Sequence, residues 1–131
     1  MAGVQQALGR HLILELYQCN PEKLKYKDTV ENIMVSAAQA GGLHMIGIFF
    51  HQFQPYGVSG VVIIEESHLS IHTWYEYGYA AVDVFVCGQG DLDAVINTLV
   101  EGFESKKYYI KSFFRGLPEE INATLPEGSV E

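Results

Sequence analysis

Basic residues are scarce in this chain. Eight Lys and Arg face sixteen Asp and Glu, for a formal net charge of −8. Phosphate backbones are bound by clustered cations, so a nucleic-acid partner is excluded. Lys23, Lys25 and Lys27 come closest to a cluster, and they suit a solvated face. Long apolar runs are also missing. None approaches the roughly 20 residues of a membrane helix, and the start lacks the charged-then-apolar pattern of a signal segment. A cytoplasmic chain with no membrane partner is therefore expected. Cysteine is limited to Cys19 and Cys87, too few for a disulfide framework and better matched to a reducing compartment.

What is present is apolar mass: 48% of 131 residues are hydrophobic, enough for one domain, 1–131, with a modest core. Residues 1–8 carry no pattern and read as a tail. Leu12, Leu14 and Leu16 alternate with Ile13 and Glu15 in a strand over 9–17, which Asn20-Pro21 breaks. Asp28 with Glu31 resembles a capping box, and Val30, Ile33, Met34, Ala37 and Ala38 follow at helical spacing up to Gly41-Gly42. Strands are predicted over 43–53 and 61–64, on either side of a turn at Pro55-Tyr56-Gly57. Asp91 is a good N-cap for a helix whose stripe is Leu92, Val95, Ile96, Leu99, Val100 and Phe103. A last strand covers 108–114, and the residues beyond Arg115 show no period. Short connections favour antiparallel hairpins, and two helices can cover only one face of a sheet. The expected fold is α+β, a two-layer sandwich with an antiparallel sheet and two main helices on one face. Its bare face calls for a partner, so a homodimer is expected.

The chemistry concentrates in one stretch, Glu65 to Cys87, which reads as two strands (Leu69/Ile71 and Val82/Val84/Val86) around Gly78. His68 and His72 are four apart, but four strand residues span roughly 13 Å, too far for two ligands of one zinc at about 2 Å each. No metal is expected. Cys87 taken alone is a small buried hydrophobe, Phe53 and Trp74 are core or rim aromatics, and Glu76 and Asp83 are solvated charges. Asp83, between Val82 and Val84, is awkwardly placed for a charge. Gly57-Val58-Ser59-Gly60 lacks the Lys and helix of a phosphate loop. A triad of Ser67, His72 and Asp83 can be written down, but its spacing specifies nothing.

The run Gly57-Val58-Ser59-Gly60-Val61-Val62-Ile63-Ile64-Glu65-Glu66-Ser67-His68-Leu69-Ser70-Ile71-His72-Thr73-Trp74 closely resembles the short prokaryotic S-adenosylmethionine decarboxylases. So do Tyr77-Gly78-Tyr79-Ala80-Ala81-Val82-Asp83, Cys87-Gly88, Gly9-Arg10-His11-Leu12 and Phe50-His51-Gln52-Phe53, and the likeness covers roughly residues 9–110. It implies a proenzyme that cuts itself between Glu66 and Ser67, giving a β chain 1–66 and an α chain 67–131. The Ser67 hydroxyl would attack the Glu66 carbonyl, and elimination and hydrolysis would leave a pyruvoyl cofactor derived from Ser67. That group would form a Schiff base with S-adenosylmethionine and act as electron sink, supplying aminopropyl groups for spermidine.

By the same resemblance, Ser59 and His72 assist processing, with His72 the base for elimination, and Cys87 donates the proton to the decarboxylated carbon. Phe53 and His72 flank the adenine, and Glu76 holds the nucleoside. Two residues depart from the family pattern. Tyr75 replaces a frequent proline and removes a fixed φ beside Glu76, and Glu65 stands where a small residue often precedes Glu-Ser. Arginine or ornithine decarboxylation, also found in this superfamily, is the alternative activity, and an uncut paralogue that only binds ligand is a third reading.

Overall fold

A computed structural model describes residues 7–123 and 128. The reading of residues 1–8 as a tail lies mostly outside them. Along the chain run β1 (Gly9–Tyr17), α1 (Lys27–Ala40), β2 (Met45–Gln52), β3 (Val58–Ile64), β4 (Ser67–Trp74), β5 (Tyr79–Cys87), α2 (Leu92–Gly102), β6 (Lys107–Arg115) and α3 (Pro118–Ile121). The six strands form one antiparallel sheet in the order β2-β3-β4-β5-β1-β6. This is the expected α+β sandwich. β3 starts three residues earlier than its apolar run, because Val58, Ser59 and Gly60 continue the ladder to His72 and Ile71. The four-residue α3 has no counterpart in the sequence pattern.

Alternation decides what is buried. Leu12, Leu14 and Leu16 of β1, Leu69 and Ile71 of β4, and Ala80, Val82, Val84 and Val86 of β5 all point to one side. There they meet Val30, Met34, Ala37 and Ala38 of α1 and Val95, Leu99 and Phe103 around α2 in one core. Thr73 is a buried polar residue on that side. Its hydroxyl accepts from Val58 N–H at 2.9 Å and donates to the Leu24 carbonyl at 2.9 Å, so it is fully satisfied.

The start of α1 differs from expectation. The N-cap is Tyr26, with no side-chain cap of its own, and Asp28 lies inside the first turn. The cap comes from far away in sequence: Gln52 Oε1 accepts the Lys27 N–H at 2.6 Å, while Gln52 Nε2 donates to the carbonyls of Lys25 and Gly57. Asp28 still places a negative charge at the positive end of the helix. α2 behaves as read, with Asp91 accepting from Ala94 N–H at 3.1 Å.

Gly60 shows how tight the β2–β3 contact is. A Cβ there would sit 2.0 Å from a ring carbon of Phe50, its cross-strand partner, which is buried. Gly60→Ala should therefore lower stability by roughly 1–3 kcal/mol, read as a drop in urea midpoint. Adding Phe50→Leu should recover part of the loss, whereas an unchanged midpoint in the single variant would contradict the packing described.

Candidate active site

β3 and β4 are joined by only two residues, Glu65 and Glu66, with Ile64 paired to Ser67 across the turn. Such short hairpins normally place residues of positive φ, often Asn-Gly, in the connection. Here the positive φ falls instead on Ser67, at 148°. A non-glycine residue held there costs on the order of 1–3 kcal/mol, so its surroundings must impose it. Glu65 N–H donates to the His44 carbonyl at 2.8 Å, and Cys87 N–H donates to the Glu66 carbonyl at 2.7 Å. The Ser67 hydroxyl and the Cys87 thiol are 3.4 Å apart. Gly9, opposite Cys87, keeps the approach clear: a Cβ there would lie 2.6 Å from the Phe85 ring and 3.2 Å from Cys87 Sγ.

A second cluster forms further along the same sheet. Ser59 pairs with His51 on one side and His72 on the other, and the Ser59 hydroxyl shares a 2.7 Å hydrogen bond with His72 Nδ1. Phe53 packs edge-on against His51, ring centres 4.7 Å apart, and keeps 47% of its surface exposed. Trp74 lies beyond His72, at 6.4 Å between rings. Tyr75, Glu76 and Tyr77 form one 3-10 turn, ended by Gly78 in the left-handed region. The Tyr75 ring meets Tyr56 at 5.2 Å, and the Lys25 ammonium lies 5.8 Å from it. Packing thus holds this turn without the fixed φ of a proline. Glu76 itself is exposed.

The structure does not bring the two clusters together. Ser67 and His72 lie on one strand, five residues or roughly 16 Å apart. A reading in which His72 serves the Ser67 of its own chain therefore fails on distance. Between the clusters lies a shallow hollow of about 250 Å³ lined by His11, Ile13, Glu15, Ser70, His72 and Asp83.

Asp83 explains its awkward place in that hollow. It faces away from the core and accepts from the Ser70 hydroxyl and from His11 Nε2, the latter at 2.9 Å, with His68 Nε2 at 3.6 Å. Burial pushes its carboxyl up, but the bonds from Ser70 and His11 outweigh burial and hold it below the usual carboxylate value. The ligand atoms of His11, His68 and Asp83 lie within 4.8 Å of one another, close enough for a metal. The Arg115 guanidinium, however, sits 3.2 Å from His11 Nδ1. Arginine only donates, so Nδ1 accepts and Nε2 carries the hydrogen given to Asp83. As arranged, the group is a hydrogen-bonded relay with a cation beside it. His11 and Arg115 carried no role in the sequence reading; the awkward place of Asp83 was the one signal there. His44, whose ring meets the Glu66 carboxylate at 2.6 Å, left no signal at all.

A profile of the S-adenosylmethionine decarboxylase family matches residues 10–116. The S-adenosylmethionine decarboxylase proenzyme of Thermodesulfovibrio yellowstonii is 49% identical over 121 residues, covering 92% of this chain and 90% of that protein. The proenzyme of the same name from Thermotoga maritima is 44% identical over 126 residues, covering 95% of each. Among solved structures, the adenosylmethionine decarboxylase of Aquifex aeolicus superposes with a TM-score of 0.79 at 29% identity, covering 97% of this chain and 100% of that one. With the strained serine and its neighbouring thiol in place, these matches along nearly the full length show that the chain belongs to the S-adenosylmethionine decarboxylase family.

Proposed function

We propose that the chain matures by cutting itself at Glu66–Ser67 and then decarboxylates S-adenosylmethionine, supplying aminopropyl groups for polyamine synthesis. The observation that carries this reading is the turn itself, where Ser67 has φ 148° and the Glu66 carbonyl accepts the Cys87 N–H at 2.7 Å. Ser67 Oγ adds to the Glu66 carbonyl carbon. The oxygen that becomes negative is the one already held by Cys87 N–H, a preorganised donor of the oxyanion-hole kind. The Glu66–Ser67 C–N bond then breaks, nitrogen takes the proton given up by Oγ, and an ester replaces the amide. Attack within one residue has no translational entropy to lose, and the strain at Ser67 is released by the cut.

Loss of the Ser67 α proton to a histidine next expels the Glu66 carboxylate from Cβ. Water enters and ammonia leaves, and residue 67 ends as a pyruvoyl cap on the α chain 67–131, with 1–66 as the β chain. The pyruvoyl group supplies the electron sink for loss of CO2. Cys87, next to residue 67, holds the proton that returns to the decarboxylated carbon. Phe53 and His72 stack the adenine and Glu76 accepts from the nucleoside. Relatives over the full length carry the S-adenosylmethionine name, so arginine and ornithine are not favoured as substrates. The protein works in the cytoplasm, a reducing setting that suits the free Cys87 and the buried Cys19, whose thiol is pushed up to about 11 by burial. No helix among the described residues is long and apolar enough to cross a membrane.

The two clusters come together in a homodimer. The face that carries them leaves Ile13, Phe49, Ile63, Trp74 and Phe113 exposed, an apolar surface of the kind that associates. A twofold axis across the strands, between two facing sheets, sets the Ser67–Cys87 end of one copy over the partner's Ser59, Phe53 and Glu76. The base for Ser67 is then the partner's His72.

Three outcomes follow. By denaturing mass spectrometry the wild type should give two chains, Ser67→Ala one, and Cys87→Ala two with poor turnover; a decarboxylase that stays uncut would sink the mechanism. Phe53→Ala should cut normally while its Michaelis constant for S-adenosylmethionine rises by about one to two powers of ten, given roughly 1–3 kcal/mol for base–aromatic stacking. Finally, Ser67→Ala and His72→Ala should each remain uncut when expressed alone. Co-expressed, they should yield cut His72→Ala chains, because a mixed dimer rebuilds one complete site. Absence of cutting in the mixture would argue that each chain serves itself.

A further inference from the structure

The residue before the scissile bond is held by a residue more than twenty positions upstream. The Glu66 side chain folds back so that Oε1 accepts the backbone N–H of His44 at 3.1 Å and Oε2 meets its ring Nδ1 at 2.6 Å. His44 also takes the Glu65 N–H on its carbonyl. Both turn residues are therefore tied to one neighbour, just where the connection lacks the residues that would make it stable by itself. From the opposite side, Cys87 N–H holds the Glu66 carbonyl. Two bonds to the carboxylate and one to the carbonyl leave the attacked carbon little freedom to turn away from the Ser67 hydroxyl.

We infer that His44 is a positioning residue for self-cleavage, which by holding the Glu66 side chain keeps the carbonyl aimed at Ser67. The inference rests on the proposed cut at Glu66–Ser67. His44 does not touch the reacting atoms, so its contribution is geometric and electrostatic. It is also separable from other events by pH. The hydrogen bond from His44 holds Glu66 below the ordinary carboxylate value, and the same bond holds His44 above the ordinary imidazole value. The lowered Glu66 contributes above its ordinary value of 4.5, and the raised His44 contributes fully below its ordinary value of 6.5. The charged clamp is thus complete between these limits and fades as pH rises through the raised value of His44. Other charges face His44 too: Glu65 in the turn, and Arg10, Asp91 and Asp93 around the cleft of about 800 Å³ whose wall it joins. None of these is hydrogen-bonded to its ring among the described residues.

The test uses full-length chains made by cell-free synthesis, pulse-labelled and chased in buffers from about pH 5.5 to 9. The loss of the uncut chain is followed on denaturing gels. At the acid end His44→Ala should cut roughly three- to tenfold more slowly than wild type, the range of a charge-assisted bond partly open to solvent, and the gap should narrow as pH rises. His44→Asn keeps an N–H near the place of Nδ1 but cannot carry the charge. It should recover much of the rate at alkaline pH and little at acid pH. A ratio of wild type to His44→Ala near one at every pH overturns the inference while leaving self-cleavage standing. A wild type that never cuts overturns the reading beneath it. If circular dichroism shows His44→Ala unfolded, His44→Asn decides, and a ratio that does not vary with pH counts against the charged clamp.

Discussion

Strands β1, β4 and β5 send every second residue into one apolar layer beneath α1 and α2, and everything else about this molecule follows from that commitment. A strand has only two faces. Once Leu12, Leu14, Leu69, Ile71, Val82 and Val84 are placed inside, His11, Ile13, His68, Ser70, His72, Asp83 and Cys87 must lie on the other side. Polar and ionisable groups cannot share the core without partners, so the bare face collects the chemistry. The position of β1 between β5 and β6 matters here as well. It sets His11 within reach of Asp83 and Arg115, three residues from three strands.

The same face also accounts for the strain at its end. A two-residue connection between β3 and β4 must turn the chain sharply, and two glutamates do not supply the φ > 0 that such a turn prefers. The distortion passes to Ser67 and is maintained by hydrogen bonds from His44 and Cys87. A turn that is poor for stability suits the proposed reaction: the Glu66 carbonyl already accepts the Cys87 N–H, and a cut there would relax the backbone. Such strain is affordable because the rest of the sheet over-determines the position of both strands.

Distance along a strand then sets the limits of one copy. A rise of about 3.3 Å per residue separates Ser67–Cys87 from Ser59–His72 by more than any side chain can reach. A site needing both must borrow from another chain. The same face exposes Ile13, Phe49 and Ile63. In the proposed homodimer, catalysis and assembly would be two consequences of one uncovered face.

Much of this was determined by the sequence alone. Alternation in β1, β4 and β5 and the stripe of α2 specify strands, helix and buried side without reference to anything distant, because side-chain direction follows from backbone period. The Glu66-Ser67-His68 motif marked the bond proposed to react, and Asp83 among valines stood out as awkwardly placed, although its partners were not legible. Only the tertiary structure decided which strands lie side by side, and with that the cross-sheet contacts. Gln52 caps α1 in place of the local Asp28–Glu31 box, Arg115 sets the tautomer of His11, and His44 grips Glu66. The physical reason is common to all three. Contacts within a turn or a strand are dictated by covalent neighbours. Contacts between strands depend on order and register, and those are settled only when the whole apolar face closes over its core.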